Sequence, residues 1–435
     1  MVMRPVEAWG RLTHELHDWL PLGGREQVEA SVRGAHGLVY GNGRSYGDVA
    51  LNPGGKLWAG RGLDRFIAFD RALGTIDCEA GVTLQEITAA TLPQGWFLPV
   101  TPGTQFATVG GAIANDVHGK NHHRFGSFGE HVLELSLQRT DGEVIACSPH
   151  THPEWLAATI GGLGLTGVIT RARLQLRQVP GPWMASEGVP FTSVAEFLQL
   201  SEASAEKWEY VVAWIDCLST RGEYLRGVLF RGRHEASDRP LSPRRARRFP
   251  FTPPVSLVNG ASLRTFNALY WQRQRMNAGR LRLQAYSDYF YPLDGLLAWN
   301  RMYGPRGFYQ YQCVLPVAQQ LPATVELLGE IARSGSGSFL GVLKTFGDRP
   351  AAGLLSFPQH GITLALDFPN QGPRTLALFD RMNAIVQAAG GRLYPAKDAC
   401  MPRALFEQGY PRLEEFRRFR DPGMSSQMSR RLLGD

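Results

Sequence analysis

The sequence has few cysteines, and their spacing excludes the common cysteine-based sites. The five are Cys78, Cys147, Cys217, Cys313 and Cys400. No two of them have the C-x-x-C spacing of a zinc site or a redox dithiol, and an odd number of distant thiols does not favour a disulfide framework. His118, His122 and His123 lie close together, but no carboxylate has ligand spacing to them, so we expect no metal.

Long hydrophobic runs are also missing. No stretch of about eighteen uninterrupted apolar residues occurs, so we expect no transmembrane helix. The first twenty residues, MVMRPVEAWGRLTHELHDWL, lack the continuous apolar core of a signal peptide. We therefore expect a protein that is cytoplasmic or associated with a membrane surface.

Several catalytic motifs are absent as well. There is no G-x-S-x-G elbow, no P-loop and no H-E-x-x-H sequence. Hydrolysis and phosphoryl transfer are disfavoured accordingly.

The formal net charge is +7, and the one dense basic run lies in SPRRARRFPFTPP, residues Ser242–Pro254. A single cluster does not support a groove for nucleic acid, so we expect no such partner. Four arginines among four prolines predict a mobile loop. Such a loop either guides a lipid phosphate and touches an anionic membrane or is simply solvated, and both interpretations remain open.

The length of 435 residues predicts more than one domain. Alternating residues in VITRARLQL, Val168–Leu176, predict a half-buried strand, and Pro180-Gly181-Pro182 then breaks the chain. We expect one domain over residues 1–181 and a second domain after this break.

Local patterns predict several elements. Phe66–Phe69 and Thr75–Glu79 flank a turn and resemble neighbouring strands. A helix from Leu84 to Leu92 is expected, with Thr83 and Glu86 forming a capping box. A second helix from about Arg374 to Ala389 is expected to stop at Gly390-Gly391. Further strands are predicted at Phe308–Leu315, Gly341–Thr345 and Gly361–Phe368.

Two glycine-rich segments are candidates for a phosphate-binding loop. GNGRSYGD, Gly41–Asp48, follows apolar residues, and its glycines allow the backbone to approach a phosphate, although a plain tight turn is the alternative. GGLGLTG, Gly161–Gly167, contains a literal G-x-G-x-x-G. A helix pattern precedes it and a strand pattern follows, which is the reverse of the dinucleotide-binding order, so we reject a Rossmann loop.

A third segment, TPGTQFATVGGAIANDVHGKNHHRFGSFGEHV, spans Thr101–Val132 and is rich in small residues. Together with GRSYGD, GGLGLTGVIT, FYQYQ, LSFP, DFP, GGRLYPAKD and the terminal MSRRL, it resembles the vanillyl-alcohol oxidase superfamily of FAD enzymes. The resemblance extends over nearly the whole chain. It implies an α+β, two-domain fold with a PCMH-type FAD-binding domain and a second α+β substrate domain built on an antiparallel sheet. The second domain would span residues 182–388, and residues 389–435 would return to the first domain.

The resemblance also implies roles for individual residues. Those expected to hold FAD are Gly43, Arg44, Ser45, Tyr46, Gly47, Pro102, Gly103, Thr104, Thr108, Gly110, Gly111, Ala114, Asn115, His118, Gly164, Ile169 and Lys397. Those expected to line the substrate pocket are Lys120, Trp214, Gln310, Gln312, Lys344, Phe346, Thr363 and Ala365. Arg44 stands where some relatives carry a histidine bonded to the flavin, so we expect FAD to be bound non-covalently.

Two positions depart from the family member that the chain resembles best. Ala365 stands where that enzyme has a cysteine, and Thr363 where it has an asparagine. The cysteine is not the hydride acceptor, so the chemistry need not change. The preference for sugar or lipid is open to change, and inhibitors that bond the thiol should fail.

Strand periodicity supports the pocket independently. Residues two apart share a face, which groups Gln310 with Gln312, Lys344 with Phe346, and Thr363 with Ala365 and Asp367. Ile362, Leu364, Leu366 and Phe368 then form a core-facing side. We interpret the polar face as a pocket wall, with a solvent-exposed sheet face as the alternative.

The resemblance implies oxidation of a secondary alcohol, in which the flavin takes a hydride. The substrate implied is a polyprenyl-phosphoryl-β-D-ribose, oxidised at C2′ to a keto sugar that a short-chain reductase partner converts to the arabinose form. Lys397 is the first candidate for the base and His118 the second, and burial or a cationic neighbour such as Lys120 must lower the lysine pKa for this role. A Lys397 that stays charged would instead stabilise the developing alkoxide or a substrate phosphate. The alternatives are a soluble carbohydrate or alditol oxidase that uses oxygen, and a non-catalytic flavin- or nucleic-acid-binding protein.

Overall fold

The computed structural model describes residues 3–242 and 245–434. The strands before residue 180 are β1 Met3–Pro5, β2 Leu16–Pro21, β3 Gly37–Tyr40, β4 Lys56–Ala59, β5 Phe66–Asp70, β6 Thr75–Glu79, β7 Trp96–Phe97, β8 Val132–Gln138, β9 Val144–Cys147, β10 Val168–Gln175 and β11 Arg177–Gln178. The α-helices of this part are α1 Val28–Val32, α2 Leu84–Thr91, α3 Val109–Ala114, α4 His122–Phe125 and α5 Pro153–Thr159.

These strands form two main sheets. The first has the order β1-β2-β4-β3, in which β2, β4 and β3 are parallel and β1 is antiparallel. The second is antiparallel, with the order β5-β6-β10-β8-β9. The predicted hairpin is confirmed as β5 and β6, and the predicted half-buried strand as β10.

The middle of the chain contains one large antiparallel sheet. The strands in this part of the chain are β12 Trp183–Ser193, β13 Tyr210–Arg221, β14 Tyr224–Glu235, β15 Arg247–Arg248, β16 Arg282–Ala285, β17 Leu296–Leu297, β18 Phe308–Pro316, β19 Gly341–Phe346 and β20 Gly361–Pro369. Of these, β15 and β17 form a separate two-stranded parallel sheet. The helices are α6 Val194–Ala205, α7 Gly260–Met276, α8 Tyr286–Phe290, α9 Gln320–Ser334 and α10 Pro373–Ala388. The eight-stranded sheet has the order β16-β12-β14-β13-β19-β20-β18-β21, where β21 is Arg392–Leu393.

The last part of the chain packs back against the beginning. After β21 come α11 Arg403–Gly409, α12 Leu413–Arg417 and α13 Gln427–Leu433. The backbone N–H of Gly37 donates to the Gly423 carbonyl at 2.8 Å. Arg431 forms an ion pair with Asp48 at 2.9 Å. The mixture of helices with antiparallel sheets confirms the α+β class, whereas the exact domain limits stay a prediction.

Local sequence signals account for much of this fold. Thr83 and Glu86 form the expected capping box at the start of α2. The segment Gly161–Gly167 follows α5 and precedes β10, which confirms the helix-then-strand order. The inward side of β20 is fully buried, as periodicity predicted, and consists of Ile362, Leu364, Leu366 and Phe368.

Described residues of the Ser242–Pro254 segment pair with the chain near Leu296 and Leu297. Pro243 and Arg244 lie outside the described residues. Arg247 and Arg248 pair in parallel with Leu296 and Leu297, and the Phe249 N–H donates to the Leu297 carbonyl at 2.9 Å. In the described ranges we find no helix with both the length and the apolar character needed to cross a bilayer.

Candidate functional site

A cavity of about 380 Å³ lies between the glycine-rich loops of the first part and the eight-stranded sheet. Most of the residues proposed from the sequence line it. They are Gly43, Arg44, Ser45, Tyr46, Pro102, Gly103, Thr104, Thr108, Gly110, Gly111, Ala114, Asn115, His118, Lys120, Gly164, Ile169, Gln310, Gln312, Lys344, Ala365 and Lys397. Segments that are distant in sequence therefore meet at one site.

Four of the proposed residues are not on the cavity wall. A Cβ on Gly47 would collide with the Asp398 carbonyl, so this glycine allows two backbone segments to pack closely. Trp214 packs with Val228 and Trp271, and its indole N–H donates to the Phe339 carbonyl at 2.9 Å. The lining role predicted for Trp214 is therefore corrected, because helix α7 covers it.

Phe346 and Thr363 lie behind the wall and support it. The ring of Phe346 contacts that of His118 edge-on, with 4.9 Å between centroids. Thr363 is buried, and its hydroxyl donates to the Cys313 carbonyl at 2.8 Å. It also accepts from Gln312 Nε2 at 3.3 Å. Both residues thus act on the cavity through His118 and Gln312, which corrects the prediction of direct lining.

One wall of the cavity consists largely of backbone and small side chains. Gly43 has φ 61° and Gly164 has φ 75°, conformations that favour glycine. Thr108 caps helix α3, with its hydroxyl accepting from the Gly111 N–H at 3.1 Å. This glycine wall, defined here as the loops around Gly43, Gly110 and Gly164, leaves room for backbone to approach a flat, extended ligand.

Three polar atoms on this wall fit the expected flavin. Arg44 Nε, Asn115 Oδ1 and His118 Nδ1 are buried and have no hydrogen-bond partner within residues 3–242 and 245–434. The Arg44 guanidinium lies 4.6 Å from the Trp9 ring centroid and 4.9 Å from that of Phe106. Buried polar atoms are normally satisfied, so unpaired donors and an acceptor around an open cavity indicate a polar ligand.

The opposite wall presents larger polar side chains from β18, β19 and β20. Gln310 Nε2 donates to Asp367 Oδ1 at 2.6 Å. Gln312 Nε2 donates to His118 Nε2 at 2.9 Å in the assigned amide orientation. We call this the sheet wall, defined by Gln310, Gln312, Lys344, Ala365 and Asp367. The alternation predicted from the strands is confirmed, and their polar face borders a cavity rather than open solvent.

Three lysines surround the cavity, and burial lowers the pKa of each. The pKa falls to about 7 for Lys120 and Lys344 and to about 8 for Lys397. Lys120 donates to the Tyr289 carbonyl and, at 3.3 Å, to the Phe290 carbonyl. Lys344 donates to the Gly119 carbonyl at 3.2 Å. Their depressed pKa values leave a substantial neutral fraction near pH 7–8.

Lys397 has the least restrained ammonium group of the three. Its Nζ lies 3.9 Å from the centroid of the Tyr46 ring and makes no hydrogen bond to a described residue. Burial raises the pKa of Asp367 to about 7, and the Asp367 carboxylate in turn raises the pKa of Lys397 somewhat against the effect of burial. The pair can therefore share a proton across the cavity near neutral pH.

His118 is less suited to accept a proton. Burial, together with Lys344, lowers its pKa well below the usual value, so the imidazole is neutral. Its Nε2 already accepts from Gln312. A neutral ring whose lone pair is occupied presents Nδ1–H to the cavity, and so acts as a hydrogen-bond donor.

Sequence reasoning did not assign several residues that line the cavity. They are Trp9, Asn42, Asp294 and Trp299. Strand periodicity did place Asp367 on the pocket face with Ala365, but it gave Asp367 no chemical role. Trp9 and Asp294 carried no comparable signal, because they reach the cavity from segments without a regular hydrophobic period.

Comparisons with known proteins agree with the cavity. The family model described as "FAD binding domain" matches residues 26–148. Decaprenylphosphoryl-beta-D-ribose oxidase of Mycolicibacterium smegmatis is 36% identical over 427 residues, covering 94% of this chain and 92% of that protein. An "uncharacterized protein in mprA 5′region" of Streptomyces coelicolor is 33% identical over 375 residues, covering 81% of this chain and 100% of that protein. Cytokinin dehydrogenase 10 of Oryza sativa subsp. japonica is 38% identical over 109 residues, covering 24% of this chain and 20% of that protein.

Proposed function

The chain belongs to the family of FAD-dependent oxidoreductases that includes decaprenylphosphoryl-beta-D-ribose oxidase, and on this premise we propose that it oxidises C2′ of a polyprenyl-phosphoryl-β-D-ribose to the 2′-keto sugar. The observation that carries the proposal is the cavity lined by Lys120, Lys344, Lys397 and Asp367 within a chain that matches that oxidase over 94% of its length. A phosphorylated sugar with a reactive hydroxyl suits a site that combines cationic groups and a base.

The glycine wall is proposed to hold the cofactor, and bound FAD supplies the acceptor for a hydride. Arg44, Asn115 and His118 would satisfy their unpaired polar atoms on it. We propose that the attachment is non-covalent, because Arg44 has no nucleophilic atom comparable to an imidazole nitrogen. When the protein is unfolded in denaturant and passed through an ultrafiltration membrane, all of the flavin should appear in the filtrate. Flavin retained with the polypeptide would contradict non-covalent binding.

Lys397 is proposed to take the proton of the C2′ hydroxyl. A pKa of about 8 makes its amine partly neutral at physiological pH, whereas an ordinary lysine would be almost fully charged. Asp367, whose pKa is raised to about 7, is proposed to receive that proton or to keep the hydroxyl oriented. Gln310 fixes the Asp367 carboxyl through the hydrogen bond at 2.6 Å.

Lys120 and Lys344 are proposed to bind the substrate phosphate. Both are held by backbone carbonyls, so their ammonium groups are oriented before a ligand arrives. The phosphodiester of the entering substrate carries one negative charge, which favours the charged form of each lysine and raises its pKa. Binding should therefore take up protons near pH 7, which a titration in two buffers of different ionisation enthalpy would detect.

One partner follows from the proposed product. A 2′-keto sugar must be reduced on the other face to give the arabinose form, and a short-chain reductase is the class of enzyme that we propose for this step.

The arginines of the Ser242–Pro254 segment are proposed to contact an anionic membrane. The described arginines of this segment, Arg245, Arg247 and Arg248, are exposed.

The proposed function is tested by mixing the yellow protein anaerobically with polyprenyl-phosphoryl ribose. We expect the flavin absorbance to fall and the sugar to lose two hydrogens. Free ribose at the same concentration serves as the control and should bleach the flavin far more slowly. Rapid bleaching by free sugars with peroxide formed in air would instead identify a soluble carbohydrate oxidase.

A further inference from the structure

The positive charge of this protein is concentrated in one short segment. From Arg239 to Ser287 the sequence contains ten arginines and neither aspartate, glutamate nor lysine. Without those ten arginines the formal net charge of +7 would become −3. The rest of the molecule is thus slightly acidic, and the basic character belongs to 49 residues.

The described arginines of this segment are directed into solvent. Arg239, Arg245, Arg247, Arg248, Arg264, Arg273, Arg275, Arg280 and Arg282 are all exposed. Several exposed arginines elsewhere in the chain pair with acids, as Arg381 does with Glu330. The nine listed above form no ion pair with any carboxylate in the part of the chain that the structure describes. Their charges are therefore not used in holding the fold together.

The same segment exposes an unusual number of large hydrophobic side chains. Eight of them are exposed: Leu241, Phe251, Val255, Leu257, Phe266, Leu269, Met276 and Leu281. The structure describes only eleven others in the remaining chain. Leu269 and Met276 are 68% and 69% exposed, although both lie within a regular helix.

Helix α7 shows why these side chains are not explained by packing. Leu263, Asn267 and Trp271 form its buried side, and Asn267 Nδ2 donates to Asp216 Oδ1 at 2.9 Å. Phe266, Leu269, Arg273 and Met276 follow each other at intervals of three and four, so they share the outer side. A surface helix needs only polar residues there. The outer side of α7 is instead a mixture of apolar groups and arginines.

This surface adjoins the wall of the cavity. Arg247 and Arg248 pair with Leu296 and Leu297, which lie between the cavity-lining residues Leu293 and Trp299. Val255 and Leu257 then lead directly into α7. We define the basic apolar surface as the exposed side chains of residues 245–257, the outer side of α7 and residues 277–282.

We infer that the basic apolar surface docks the protein on an anionic lipid membrane, beside the opening through which a lipid-linked sugar reaches the cavity. Arginines attract anionic headgroups, and exposed Leu, Met, Val and Phe side chains enter the headgroup and acyl boundary. A nucleic acid would use the arginines but gain little from the aliphatic side chains, which is why a lipid surface is favoured. The docking surface is larger than the Ser242–Pro254 segment, because α7 provides its apolar part. The purpose of docking rests on the proposed lipid-linked substrate, whereas binding itself does not.

The test is sedimentation of the full-length, FAD-loaded protein with vesicles. We expect binding to vesicles of phosphatidylglycerol, little binding to phosphatidylcholine alone, and weakening as salt is added. The double variant Leu269→Ser with Arg273→Gln should lower the partition coefficient of the protein onto phosphatidylglycerol vesicles by about tenfold. Retention of the flavin colour will show that the variant is folded.

A matched control removes the same chemical groups elsewhere. Arg71 and Leu73 are exposed at the tip of the β5–β6 hairpin, with Leu73 67% exposed, so Arg71→Gln with Leu73→Ser should leave vesicle binding unchanged. The inference is overturned by absence of binding to phosphatidylglycerol, by equal loss in both variants, or by retention on single-stranded DNA in place of vesicles. Vesicle binding without flavin bleaching by the lipid-linked sugar would contradict the proposed function but would still support the docking surface.

Discussion

The two walls of the cavity recognise their ligands in different ways. The glycine wall relies on backbone and small residues, such as Gly43 with φ 61° and Gly110 against Ala80. The sheet wall relies on long side chains held by one another, such as Gln310 on Asp367 and Gln312 on His118. A cofactor common to many enzymes suits the first kind of wall, and a particular substrate suits the second. Substitutions on the two walls should therefore separate cofactor binding from turnover.

The largest effect is expected from Lys397 beside the sheet wall. Lys397→Ala should retain FAD yet slow flavin reduction by about 10³-fold, within the range lost with a general base. Lys397→Arg should be as slow, because a guanidinium stays protonated and cannot accept the proton. Stopped-flow reduction with saturating substrate measures both. If the arginine variant keeps most of the rate, Lys397 acts through its charge and not as a base.

The second largest effect is expected from the pH dependence of flavin reduction. The neutral amine of Lys397 is the active form, and its pKa of about 8 lies below the usual 10.5. Flavin reduction should therefore rise as the pH passes through about 8 and level off above it, with a difference of about 90-fold between pH 6 and pH 9. A profile that falls as the pH rises through 8 would show that the charged lysine is required. FAD content should stay constant over the same range.

The sequence predicted the glycine wall better than the sheet wall, and the reason is physical. Glycines such as Gly43 and Gly164 are required by local backbone geometry, so their spacing is visible in the chain. The alternation of side chains along a strand likewise predicted which residues share a face of β18, β19 and β20. Which of those residues reach the cavity depends on neighbouring elements. Trp214 shares a strand with the cavity-lining Val212, yet Trp271 of α7 covers it.

Residues that approach the cavity from irregular segments were not predictable in this way. Trp9 lies near Arg44 because its N–H donates to the Ser45 carbonyl at 2.8 Å, a contact between distant parts of the chain. The depressed pKa values of Lys120 and Lys344 likewise depend on burial that only the folded chain creates. The sequence alone indicates which chemical groups are present, and packing decides which of them share an environment.

A smaller effect is expected on the glycine wall. Gly43→Ala introduces strain at φ 61° and a Cβ that would collide with the Tyr40 hydroxyl, so FAD should dissociate about tenfold more readily. Gly54→Ala is the control, because Gly54 has φ 72° but nothing within 4 Å of the added Cβ. Both variants should lose similar stability in a thermal melt. Equal loss of FAD from both would show that strain, and not the cavity, is responsible.

The smallest effect on turnover is expected at Ala365. Ala365→Cys places a thiol on the sheet wall and should change turnover by less than about threefold, while making the cavity sensitive to a maleimide. Thr363→Cys is the comparison, because position 363 is buried behind the wall and should stay unlabelled. Mass spectrometry of the maleimide-treated variants shows whether each cysteine is labelled. Labelling at 363 and not at 365 would contradict the assignment of position 365 to the cavity and of position 363 to the region behind it.

The central claim is that the C2′ hydrogen of a polyprenyl-phosphoryl ribose passes to the bound flavin. Its most direct test is anaerobic flavin reduction with that substrate deuterated at C2′, compared with the same substrate deuterated at C3′. The account predicts slower bleaching with deuterium at C2′ and an unchanged rate with deuterium at C3′. Slowing by the C3′ label alone, or an absence of bleaching by either substrate, would contradict it.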